Sequence, residues 1–264
     1  MKTTLFALFF ALLMVGCGEA DLSDPKALED TTADAVDWSK LQDRDGVIYL
    51  TNTDKPFSGY AKRAYENEQI EVLAQFKDGY VVRLKQWQEN GNPKWDIGFM
   101  EGKVGIEGMP YKREPKLKEY GHGPVTAWHE NGQKKLEVNV KDGKLDGLWT
   151  GWYENGNKEG EANLKNGKVD GLKAEWYENG NKKSEETYKE GKKDRFDSWY
   201  ENGNKRATST FKNEKMMTQT RWKPNGEKCP VTNVVNGNGV VVVYEEDGTE
   251  RVRLTFKNGE PVLD

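Results

Sequence analysis

Cys17, Cys229, His122 and His129 are the only cysteines and histidines in this 264-residue chain, and so the first residues to ask for chemistry. A metal site would need three or four such ligands, or carboxylates at fixed spacing beside them. His122 and His129 lie seven positions apart in a strand-like segment, which puts them on opposite faces of a regular strand, and no third ligand accompanies them. Both read as surface residues. Asp43-Arg44-Asp45-Gly46 begins like a calcium loop but lacks the later acidic positions and the bidentate Glu, so turn chemistry accounts for it. Acidic pairs such as Glu185-Glu186 read as a solvated face, and no phosphate-cradling glycine motif occurs. Cys229, beside Pro230, reads as a small buried apolar residue, with an intermolecular disulfide as the alternative in an oxidising compartment. The expectation is a protein without catalytic residues, metal or cofactor.

One constellation could bind something. Trp128, Trp152, Trp176, Trp199 and Trp222 recur every 23 or 24 residues. As structure, they are a repeated packing residue that shields a sheet. As a ligand or partner surface, they could stack sugar rings or attract a quaternary ammonium headgroup through cation–π contacts.

The composition says what must carry these side chains. Only 35% of residues are hydrophobic and 32% are charged, with a mean hydropathy of -0.93, yet there are 9 Trp, 11 Tyr and 28 Gly. A polar chain rich in aromatics and glycine implies many short strands and tight turns around a thin core. Forty basic residues against 44 acidic ones leave a net charge of -4. No basic excess exists to neutralise phosphates, which argues against a nucleic-acid partner.

The amino terminus reads as an address. Lys2 precedes the apolar stretch Leu5 to Val15, which is too short to span a bilayer and has the form of a secretory signal. Met14-Val15-Gly16-Cys17 resembles the bacterial lipobox, in which the Cys becomes the acylated first residue. That resemblance implies a signal peptide over 1–16 and lipidation at Cys17. It also implies a cell-envelope protein held to a membrane by its acyl chains, with Gly18 favouring the outer membrane. A conventional cut after Ala20 is the alternative. Residues 17–45 are acidic without apolar periodicity and read as a solvated tether to a domain over 46–264.

Within that domain a phrase repeats: Trp87-Gln-Glu-Asn-Gly91, Trp128-His-Glu-Asn-Gly132, Trp152-Tyr-Glu-Asn-Gly156, Trp176-Tyr-Glu-Asn-Gly180, Trp199-Tyr-Glu-Asn-Gly203 and Trp222-Lys-Pro-Asn-Gly226, with looser copies ending at Glu68 and Gly248. A second half follows, as in Leu164-Lys-Asn-Gly167, and the rhythm breaks at an insertion of residues 103–119. Gly132, Gly156, Gly180, Gly203 and Gly226 are assigned to turns, because Asn-Gly favours the type I′ turn, with positive φ at both central positions. Each unit is then a hairpin too small to be stable alone, and stacking side by side buries its apolar face. The expected fold is all-β, an elongated single-layer ribbon of about eight hairpins.

These motifs closely resemble the bacterial variant of the MORN repeat, the unit of YwqK-family proteins. The opening Ile48 to Gly59, with Pro56-Phe57-Ser58-Gly59, looks like the start of that family. The resemblance implies a binding module and, for some members, an antitoxin that neutralises a partner toxin. The leading expectation is a non-enzymatic, lipid-anchored scaffold for a protein partner in the cell envelope. The alternatives are a YwqK-like antitoxin and a module for peptidoglycan or phospholipid headgroups.

Overall fold

The computed structural model describes residue 22 and residues 24–99 and 122–262. The expected signal peptide over 1–16, Cys17 and the expected insertion over 103–119 lie outside the described residues. A 15-stranded open sheet dominates, its strands laid down in chain order and each antiparallel to the next from Gly59–Ala64 to Lys215–Arg221. Fourteen strands side by side at about 4.8 Å make a ribbon on the order of 60 Å long.

Two kinds of turn fold the ribbon. At Asn166-Gly167 both residues are left-handed, with φ of 52° and 79°, as a type I′ turn requires. At Tyr153-Glu154-Asn155-Gly156 only the glycine is, with φ 85°. There Gly156 N–H donates to Tyr153 O at 3.0 Å, Tyr153 N–H donates to Asn157 O at 2.9 Å, and the register slips between Gly151 and Trp152. The Trp-x-Glu-Asn-Gly turns are therefore longer, bulged turns rather than the expected I′ form. A bulge absorbs one residue and leaves Gly as the single left-handed position. Glu68 and Glu214 hold φ of 68° and 66° at turn positions that glycine fills in most other copies, so the backbone keeps its course at a steric cost of roughly 1 kcal/mol each.

One face of the sheet carries the core, and its character changes along the ribbon. A cross-strand row starts Ala74, Leu84, Ile97, Val125, Val138, all buried. It resumes at Trp149 and Ala162, then turns polar as Lys173, Glu186, Phe196, Ser209 and Gln219. The apolar half is covered by Trp38, Phe57 and the hairpin Leu41–Arg44 with Val47–Leu50. Trp149 closes it, lying against Gly151 and Gly160, while its neighbour Leu148 points outward, 53% exposed.

Two further sequence expectations change. Residues 17–45 are not all tether: Pro25–Asp34 is an α-helix, with Asp24 capping its start by accepting from Lys26 N–H at 2.9 Å and Pro25 in the first turn. Leu22 and Ala35 are buried with Leu73, Lys62 Nζ donates to Thr32 O at 2.7 Å, and Lys85 Nζ donates to Leu22 O at 2.8 Å. The helix offers too few apolar residues for a periodicity to show, and tertiary packing supplies its stability. Val36–Asp37 then pairs parallel to Gly59–Ala64 and covers the sheet's first edge.

Nor is the sheet continuous to the C-terminus. Gly239–Tyr244, Glu250–Lys257 and Glu260–Val262 form a separate three-stranded sheet. It covers the far edge through Gly237 N–H to Met217 O at 2.9 Å and the bridge from Gln219 to Val234. Gly237 and Gly259 approach so closely that a Cβ on Gly237 would sit 2.6 Å from Gly259 N. Pro224 and Pro230 interrupt the strand that would have continued the ladder.

Candidate functional site

The recurring phrase is laid out as a set of parallel ladders at the bulged turns, and its Tyr and Asn side chains reach a backbone carbonyl one repeat on. Tyr153 OH donates to Trp176 O at 2.8 Å, Tyr177 OH to Trp199 O at 3.0 Å and Tyr200 OH to Trp222 O at 2.9 Å. Tyr65 OH reaches Trp87 O in the same way, at 2.8 Å. His129 takes the Tyr position, with Nε2 2.7 Å from Trp152 O, so its ring is a structural link and not an isolated surface group. Of His122 only the backbone is described, paired with Lys141.

The asparagines form the second ladder. Asn155 and Asn157 both donate through Nδ2 to Glu178 O, at 2.9 and 2.8 Å, and Asn179 and Asn181 do the same to Glu201 O. The oxygen of Asn155 meanwhile accepts from Asn157 N–H, which shapes the turn locally. Gly132, Gly156, Gly180, Gly203 and Gly226 hold φ between 85° and 89°.

The tryptophans are half-buried, and lysines sit over their rings. Lys134 lies 5.4 Å from the Trp152 ring, Lys158 5.1 Å from Trp176, Lys182 5.6 Å from Trp199 and Lys205 5.6 Å from Trp222. The first three lysines also pair with Glu137, Glu161 and Glu185 at 2.6–2.7 Å. Each cation–π contact contributes about 0.5–1 kcal/mol, and together they occupy one face of four of the five rings. Trp128 carries no such contact among the described residues and lines a cleft with Trp95 and His129.

Residues 121–142, 145–166 and 169–190 match the model of the MORN repeat variant. Three consecutive MORN-variant repeats are present. The register slip of the MORN-variant hairpins also occurs outside the matched residues, before Ala64, Trp87, Trp199 and Tyr244. No curated protein matches the chain. MORN repeats suggest a repeat-based binding or scaffold role.

Two polar clusters were not legible from spacing. On the open face, Glu186 accepts from Lys193 Nζ at 2.7 Å and from Tyr188 OH at 2.6 Å. Burial opposes the charged carboxylate, but those two donors outweigh it and hold Glu186 below the usual range, while burial and Glu186 push Tyr188 up to about 12. On the opposite face, Asp197 is 5% exposed and accepts from Arg195 Nε at 2.5 Å and Lys205 Nζ at 2.8 Å. Burial alone would raise its pKa; Arg195, Lys205 and Thr208 together hold it far below the normal carboxylate range.

Cys229 is buried under the C-terminal sheet, its sulfur 3.0 Å from Tyr244 OH and accepting from Thr232 N–H at 3.4 Å. Burial raises the thiol, yet these hydrogen bonds bring it below its ordinary value, and the same contact pushes Tyr244 up to about 12.

Proposed function

We propose that this protein is a non-enzymatic scaffold, anchored to the cell envelope through Cys17, whose ribbon docks a protein partner along its open face. One observation carries the reading. The repeat's Tyr and Asn side chains are consumed in holding one repeat to the next, while the face from Lys173 to Phe196 is polar and outside the N-terminal apolar core, with Ser209 and Gln219 buried beyond it. Long shallow surfaces of this kind suit extended partners better than small molecules. The lysines over the tryptophans weigh against the glycan and headgroup alternative. The antitoxin alternative is the special case in which the partner is a toxin, and rests on the resemblance to YwqK-family proteins.

A photo-crosslinker placed at Lys183 on the open face should give one discrete adduct in envelope preparations, and the same probe at Glu161 on the opposite face should not. Equal adducts from both positions, or none from Lys183, would overturn the docking reading. The anchor has its own test. Mass spectrometry of the native protein should find an acylated N-terminal Cys17, and Cys17→Ser should release the protein from membranes; an unacylated mature terminus refutes it.

A further inference from the structure

All the buried side-chain polar atoms that lack a hydrogen-bond partner among the described residues gather at one place: Ser209 Oγ, Gln219 Oε1 and Arg221 Nε. Ser209 and Gln219 face each other across two strands, and Arg221 is two residues beyond Gln219 on the same face. An orphaned buried polar group costs free energy. Gln219 Oε1 is an acceptor and offers nothing to an anion, whereas Arg221 Nε is a donor, and of the three residues Arg221 is the one that lines an open cleft.

Beside them opens a cleft of about 290 Å³ lined by Tyr177, Lys183, Phe196, Ser198, Arg206 and Arg221. Glu175 and Glu186 also line it, but each already holds a lysine, Lys173 at 2.7 Å and Lys193 at 2.7 Å. Neither arginine has an ion pair within 4 Å among the described residues. Arg206 instead stacks on the Tyr200 ring at 5.4 Å. Burial and the neighbouring Arg206 charge disfavour the charged form of Arg221, as expected for a guanidinium awaiting an anion.

We propose that this cleft binds a carboxylate of the protein partner, either a chain terminus or an acidic side chain, with Arg221 and Arg206 gripping the oxygens and Phe196 and Tyr177 flanking the adjoining apolar group. Guanidinium forks match a planar carboxylate in bidentate fashion. Phe196 and Tyr177 beside the arginines favour a carboxylate that carries an apolar group over inorganic phosphate. The proposal rests on the scaffold reading only for the macromolecule that brings the carboxylate; the test below uses small probes and stands apart from the crosslinking result.

The full chain is titrated with N-acetylphenylalanine, N-acetylphenylalaninamide, N-acetylaspartic acid N-methylamide and inorganic phosphate, and the arginine Nε–H resonances are followed by NMR. A free-carboxylate probe should shift the Arg221 signal and saturate in the ~millimolar range. Response to the first probe but not the third identifies a chain terminus; the reverse identifies an acidic side chain. The amide should leave the signal unmoved. Arg206→Gln should weaken binding several-fold and Arg221→Met should abolish it. Unliganded Arg221→Met should melt no lower than the parent, because it removes an unpaired buried charge, and should lose the rise in Tm that saturating probe gives the parent. A response to phosphate alone, an equal response to the amide, no response at all, or a lowered Tm with undiminished binding in Arg221→Met would each overturn the proposal.

Discussion

A phenol that reaches across to the next repeat's backbone does a job that no neighbour duplicates. Tyr177 donates to Trp199 O at 3.0 Å, and removing its hydroxyl leaves a half-buried carbonyl without that donor. Tyr177→Phe should lower stability by roughly 1–2 kcal/mol in urea unfolding, with Tyr153→Phe behaving alike. Tyr49→Phe, lacking such a link, should stay within about 0.5 kcal/mol of the parent. Asp197 makes a prediction about pH. Its folded pKa is depressed, so its contribution is fully present above the unfolded value of about 3.9 and is lost as pH falls from there toward the folded pKa. Asp197→Asn should therefore be less stable than the parent at pH 7, by about 2 kcal/mol, with the gap narrowing below pH 4. A gap independent of pH between 2 and 7 would show that the ion cluster is not its source.

Among the elements, the hairpin is the interchangeable part. Lys144-Leu145-Asp146-Gly147 and Lys168-Val169-Asp170-Gly171 stand at equal distances before Trp152 and Trp176, although the first stretch is broken into two strands at Asp146 and the second is one continuous strand. Deleting residues 145–168 joins Lys144 to Val169 in register, so the Tyr and Asn ladders re-form one repeat on. The protein should keep its β-sheet circular dichroism and a cooperative melt. It loses Trp149 and Leu164 from the end of the apolar core, and its Tm should fall by roughly 5 °C. Deleting 151–165, which is out of register, should abolish cooperative unfolding. The helix Pro25–Asp34 is the opposite case, a unique element that fits only the ground around Leu73.

For the whole molecule, stability should be graded rather than uniform. The ribbon is quasi-one-dimensional, so each repeat leans on its neighbours, and only its first half has a continuous apolar core. Hydrogen exchange should be slowest between Val72 and Ile97 and between Val125 and Val140, and faster by one to two orders of magnitude between Lys182 and Arg221, which corresponds to roughly 1.4–2.8 kcal/mol of local opening. Identical protection along the sheet would mean that the C-terminal sheet clamps the far end as firmly as the core holds the near one.

The chain order of residues was enough to reveal a repeating all-β ribbon, because Asn-Gly and Asp-Gly pairs and the Trp rhythm are local signals that survive without tertiary context. The proposed export signal and the anchor at Cys17 rest on sequence alone. The tertiary structure decided what spacing does not encode. Which turns are bulged depends on cross-strand register, and the helix after Asp24-Pro25 depends on docking beside Leu73; its capping pair was a readable start signal with no amphipathic pattern behind it. Arg221 looks like any other strand residue in the sequence. Only the packing of neighbouring strands and the C-terminal sheet buries it without a partner, because an unsatisfied charge is a property of surroundings brought together from far along the chain.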